Sequence, residues 1–256
     1  EYAWAIAGRG QTYRLMGRHD DALTDLNRAI ELDPDEAWAI AGRGQTYRLM
    51  GRHDDALTDL NRAIELDPDE AWIIAERGET HRLADRYDDA LADYSRAIEL
   101  DPDEAWAFAG RGQTYRAMGL YDDALTDYNR SREISSNNGW VWLEYAVLFR
   151  LMGRASEEDA SWRKAEELFT ANIVGNTIEA QRARFNLFVL WCARSEWERV
   201  THQLQDILAN NPHIGLIREA MIDLRDMQRT LALDEDHAGA ILRTLETHIA
   251  TSPSVT

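Results

Sequence analysis

Seven histidines, one cysteine and a recurring Asp-Asp pair are the first side chains of this 256-residue chain to weigh for catalysis. None stands in a pattern that performs it. The histidines (His19, His53, His81, His202, His213, His237 and His248) fall outside any HExxH pair, and there is no CxxC or GxxxxGK[ST] sequence. The Gly-Arg-Gly triplets follow no strand, so they are not a dinucleotide fingerprint. The Asp pairs, such as Asp54-Asp55, stand where a helix would start, and the helix dipole accounts for them. Cys192 lies in an apolar run and reads as a buried small hydrophobe. No enzyme, no cofactor and no metal site is expected.

Recognition chemistry is better represented. Trp4, Trp38, Trp72 and Trp106 recur every 34 residues, each with a polar residue and an arginine at fixed offsets. The sets are Trp4, Gln11, Arg14; Trp38, Gln45, Arg48; Trp72, Glu79, Arg82; and Trp106, Gln113, Arg116. Trp and Arg are enriched at binding hot spots, and Arg forks onto carboxylates or stacks on aromatic rings. A ladder of like sites suits an extended peptide or a helix laid along it. Ala and Gly beside these residues leave room for a partner's backbone, and an acidic-aromatic ligand matches the Arg row. The Trp row has a second reading, as cement between neighbouring helices. The Arg row reads as a solvated face, paired with Glu and Asp of adjacent repeats, ahead of a ligand clamp.

The elements that position these residues come from an internal period, the first thing to look for in a chain of this kind. Residues 3–36 (AWAIAGRGQTYRLMGRHDDALTDLNRAIELDPDE) recur letter for letter at 37–70, with close variants at 71–104 and 105–138. Such identity points to recent duplication or to deliberate construction. Each unit reads as two helices. In the first, Ile40, Gly44 and Tyr47 share one face, and at about 100° per residue Trp38, Ala41, Gly42, Gln45, Arg48 and Leu49 share the opposite one. Gly51 suits the left-handed position after a helix end. In the second helix Ala56, Leu57, Leu60, Ala63 and Ile64 form an amphipathic stripe. Asp67-Pro68 ends it, because proline disfavours helix in the preceding residue, and Asp69 is placed to cap the next helix.

Gly44, Tyr47, Gly51, Ala56, Ala63 and Pro68 carry a resemblance to the tetratricopeptide repeat family, specific over 3–138 because period, order and residue type agree. The resemblance implies an all-α, right-handed α-solenoid of stacked helix-turn-helix units, with an inner groove lined by first helices. Two departures stand out. Arg9, Arg43, Arg77 and Arg111 occupy the place of a large apolar residue, and the family's Trp position holds Ile6, Ile40, Ile74 or Phe108. Some family members grip a carboxyl-terminal carboxylate with Lys and Asn. Those places hold Ala41 and Gln45 here, so that clamp is not expected.

Beyond residue 138 the pattern decays. Residues 139–172 read as a degenerate fifth unit, with Trp140, Gly153 and Ala165 in register and Glu158 in place of the small residue. The divergent region 173–256 holds a sixth unit at 181–214 and two amphipathic helices at 213–232 and 235–250. These form the helical cap that a solenoid end needs, or else a second binding surface. The first unit equals an internal one, so its outer face is expected to be apolar, and self-association through it is a further reading.

The formal net charge of −18 disfavours nucleic acid and anionic membrane surfaces as partners. A lone cysteine and the lack of a secretory segment fit a reducing, cytoplasmic setting. The opening Glu1-Tyr2, without an initiator Met, reads as a piece of a longer protein. The expected function is a protein- or peptide-binding scaffold, the resemblance extending to sensor regions of larger bacterial multidomain signalling proteins. The alternatives are a self-assembling structural array and a regulatory segment of a larger ATPase or other enzyme.

Overall fold

The computed structural model describes residues 2–175, 177–210 and 212–252; Glu1 lies outside them. Fourteen α-helices and no strand are present among the described residues. They form two compact units, Glu1–Ser136 and Asn137–Thr256.

The first unit consists of four helix pairs: α1 (Ala3–Leu15) with α2 (His19–Leu32), α3 (Ala37–Leu49) with α4 (His53–Leu66), α5 (Ala71–Leu83) with α6 (Tyr87–Leu100), and α7 (Ala105–Ala117) with α8 (Tyr121–Ile134). Helices α2, α4 and α6 also pack on α3, α5 and α7 in turn. This is the stacking of an all-α repeat solenoid. The stripe expected on α4 is the face it buries, with Ala56, Leu57, Leu60 and Ala63 inside and Ile64 half-buried.

Turn chemistry follows the expected pattern at the pair junctions. Gly51 follows the end of α3 with φ +74°, a left-handed conformation that a Cβ would strain. In the third pair Asp85 takes this place with φ 58°, and its carboxylate accepts the Tyr87 hydroxyl at 2.8 Å. The expected cap does not form. Glu70, not Asp69, is the residue preceding α5, and its side chain makes no capping bond. Asp69 instead accepts Arg96 at 3.2 Å, because the Pro68 turn places it one residue too early and beside the next second helix.

The second unit contains α9 (Gly139–Leu151), α10 (Ala155–Ala171), α11 (Ile178–Ala193), α12 (Trp197–Ala209), α13 (Ile214–Leu231) and α14 (Glu235–Thr251). Helix α11 lies against α10, α12 and α13, and α13 against α14. One apolar cluster runs through the unit, from Leu143 and Trp162 through Phe188 and Leu190 to Met221, Leu224 and Leu245. Glu158, the acidic residue at a place for a small one, accepts Arg150 at 2.7 Å and the Trp162 indole at 3.0 Å. Among the described residues no helix is long and apolar enough to cross a membrane.

Candidate functional site

The first helices α1, α3, α5 and α7 touch in sequence, so their recurring residues form rows within the first unit. The Trp row divides. Trp4 and Trp38 are 68% and 39% exposed. Trp72 is half-buried against the cluster of Ile40, Leu60 and Ile73. Trp106 packs with its ring edge-on to Tyr94, at 6.4 Å and 86°. Exposure and inter-repeat packing thus belong to different members of one row.

The face expected to be open is largely closed. Ala41, Gly42 and Gln45 are buried. A Cβ at Gly42 would lie 3.3 Å from Leu26 and 3.4 Å from the Gln11 side chain. The small residues admit the neighbouring pair rather than a partner's backbone. On this face Trp4 and Leu15 of α1 and Trp38 of α3 stay exposed, with Gly8, Gln11, Arg14, Arg48 and Leu49 half-buried.

The Arg row is not the solvated face the sequence suggested. Arg82 and Arg116 are 9% and 4% exposed. Arg14 donates to Gln11 at 3.1 Å on its own helix. Arg48 reaches across to Glu76 of the next pair at 3.1 Å, which is the inter-repeat pairing expected. Arg82 forks onto Glu79 with two bonds of 2.8 Å, and the Tyr94 hydroxyl donates to the same carboxylate at 2.8 Å. Gln113 is half-buried. The Gln45 Oε1 atom is buried without a hydrogen-bond partner.

Ionisation follows this geometry. Burial opposes the charge on Glu79, but Arg82, Arg48 and the Tyr94 hydroxyl outweigh it and hold its pKa below the usual carboxylate range. Burial and the Glu79 charge push the Tyr94 hydroxyl well above its ordinary value. Burial opposes the Arg48 charge too, and Glu76 and Glu79 more than compensate.

Sequence reasoning missed Glu76 and Tyr94. The signal was present: Glu76 is the acid in a place held by Gly8, Gly42 and Gly110 in the other units. It also missed the role of the arginines that depart from the family pattern. Arg9, Arg43, Arg77 and Arg111 each fork onto the buried Asp25, Asp59, Asp93 and Asp127, at 2.6–2.8 Å. Arg43 and Arg77 reach further, to Asn27 and Asn61 of the preceding second helix, at 2.7 and 2.8 Å. An Asp sixteen residues after the Arg in every unit was the legible trace of this pairing.

Three of the histidines and Cys192 lie within the packing of the helices. His19 and His81 are buried and His53 is half-buried. Burial lowers the pKa of His53 and of His81, whose Nε2 lies 3.7 Å from Asp93. Cys192 is buried, which raises its thiol pKa and disfavours the thiolate. Among the described residues no group of three His, Cys, Asp or Glu side chains could hold a metal ion.

A family profile described as tetratricopeptide repeat matches residues 1–69, and one described as TPR repeat matches 78–119. No curated protein sequence matches the chain. Among solved structures it is similar to MamA, with 24% identity over 62% of this chain and 93% of that one, TM-score 0.54. The type IV pilus biogenesis factor PilW matches over 81% of this chain and 93% of its own, with 18% identity and TM-score 0.62. YrrB, described as a TPR protein with an unusual peptide-binding site, matches over 64% of this chain and 84% of its own, with 18% identity and TM-score 0.50. At these identities the likeness establishes the fold.

Proposed function

We propose that this chain, a tetratricopeptide repeat protein, is a protein-interaction scaffold that holds a peptide segment along the first helices of its amino-terminal unit. The exposure of Trp4 and Trp38 carries the reading. Their counterparts Trp72 and Trp106 are packed, so the sequence context does not oblige a Trp at this place to lie in water. Two large aromatic rings left exposed on the helices that also carry Arg14 and Arg48 supply the anchor chemistry of a hot spot. The peptide-binding site named for the similar YrrB structure supports the same use of the fold. The chain performs no catalysis of its own in this reading, and its net charge of −18 turns it away from nucleic acid. The finer assignment is the binding or sensing arm of a larger cytoplasmic signalling protein, and it requires a catalytic or output domain in the full reading frame.

The test is partner capture from source-cell extract by the parent and by a Trp4→Ala, Trp38→Ala variant whose helicity matches it. A partner retained by the parent and lost by the variant supports the site. Equal retention moves it elsewhere.

Self-association is a second reading with its own observation. Ala5 and Thr12 on α1 are exposed, whereas the identical Ala39 and Thr46 on α3 are buried. A second copy covering α1 would bury the same surface. Sedimentation across a wide concentration range decides: a strictly monomeric chain removes this reading.

A further inference from the structure

Helices α1 and α3 have the same sequence, AWAIAGRGQTYRL, and yet their arginines differ in partner. In α1, Arg14 donates to Gln11, three residues earlier, at 3.1 Å. In α3 the identical Arg48 has left the identical Gln45 and donates to Glu76 of α5 at 3.1 Å. The cause is the neighbour, because the helix stacked on α1 carries Gly42 where the helix stacked on α3 carries Glu76. Gln45 is left 8% exposed with its Oε1 buried and unpartnered, a state that costs about 1–3 kcal/mol.

Arg48 therefore stands between two acceptors and satisfies one. Glu76 keeps 14% of its side chain at the surface, enough for an incoming group to reach its edge. A cation arriving there would take over the carboxylate, and Arg48 would fall back on Gln45 in the geometry that Arg14 and Gln11 already show. The regained bond offsets the displacement. An acidic ligand has no such exchange open to it, because Arg48 and Arg82 are already neutralised by Glu76 and Glu79. The net charge of −18 favours the approach of a cation as well.

We infer that Glu76 is a recognition site for a Lys or Arg side chain of the bound peptide, with Arg48 handed over to Gln45 on binding. This rests on the peptide-binding reading above and specifies its ligand as basic, in place of the acidic-aromatic ligand that the Arg row suggested from sequence.

The test uses the full chain and a random peptide library as probe, with the parent, Glu76→Gln, Gln45→Leu and Trp38→Ala proteins. The parent is expected to enrich peptides rich in Lys and Arg. Glu76→Gln should bind the enriched peptides at least about tenfold more weakly, the loss of one charge-assisted bond. Gln45→Leu should weaken them about three- to tenfold, because Arg48 loses its alternative acceptor, while the unliganded protein is no less stable. A diffuse acidic field would leave Gln45→Leu unchanged, and that result overturns the hand-over. Undiminished binding by Glu76→Gln overturns the site. Enriched peptides that are acidic or indifferent to charge, and that depend on Trp38, overturn the basic ligand and leave the groove standing. No enrichment by the parent removes both.

Discussion

Helix α3 and helix α11 are buried on most sides by opposite means. In α3 the buried residues are small or polar: Ala39, Ala41, Gly42, Gly44, Gln45 and Thr46, with Ile40 the one large hydrophobe. In α11 they include Phe185, Leu187, Phe188, Leu190 and Trp191. The regular unit draws its helices close with small side chains and then pins the pairs with Arg–Asp forks between first and second helices. The divergent unit fills the same kind of space with large apolar side chains. A repeated interface must accept the same neighbour many times over, and a recurring small-residue surface with a bidentate polar register does so. The carboxyl-terminal unit is not repeated letter for letter, so its packing can be individual.

The contrast breaks most visibly at Phe188, fully buried and edge-on to Phe185 at 6.5 Å. Phe188→Ala is expected to cost about 3–5 kcal/mol in chemical denaturation. Hydrogen exchange should show lost protection in α11 and α13 before α3. Equal loss throughout would mean that the two units unfold as one, and the comparison would fail.

The fork comes next. Asp59→Ala leaves Arg43 without its 2.7 Å carboxylate partners and should cost about 2–4 kcal/mol, less than a fully buried pair because Arg43 keeps contact with water. The double variant Arg43→Met, Asp59→Leu should recover most of that. If the single change costs under about 0.5 kcal/mol, the forks are surface pairs without structural weight.

A smaller gain is expected from Asp85→Gly, which gives the third unit the glycine found in the others at a left-handed position. It should stabilise by about 1 kcal/mol or less, read as a rise in midpoint at constant m-value. A loss would assign the Tyr87 contact more weight than the backbone strain.

The smallest effect concerns pH. His81 replaces the Tyr of the other units, and burial lowers its pKa in the folded state, against the opposing pull of Asp93. The folded chain then binds fewer protons than the unfolded one just below the ordinary His range. Stability contributed by neutral His81 is complete above about pH 6.5 and declines as pH falls through that value toward the folded pKa. His81→Tyr should flatten this slope below about pH 6.5, and an unchanged slope would assign it to other groups.

Much of the fold was legible because its determinants are local. The 34-residue period, the Ala56–Leu60–Ala63 stripe and the glycine after each first helix act within one or two turns of chain. Asp69 misled because a cap depends on one residue of register. In the candidate site the residue types were legible, and the Trp–Gln–Arg sets do line the first helices. Their state was not. Gln11 and Gln45, or Trp4 and Trp38, are identical in sequence context and differ in exposure or partner, so nothing local could separate them.

By itself, then, the sequence determined the all-α repeat architecture, the pairing of helices and the absence of a recognisable catalytic motif, because periodicity and turn residues act at short range. Tertiary structure alone decided that Arg48 crosses to Glu76, that Arg82 and Arg116 are buried, and that two of four tryptophans stay exposed. Each of those outcomes depends on which surface stacks against a helix, and identical helices given different neighbours bury different atoms.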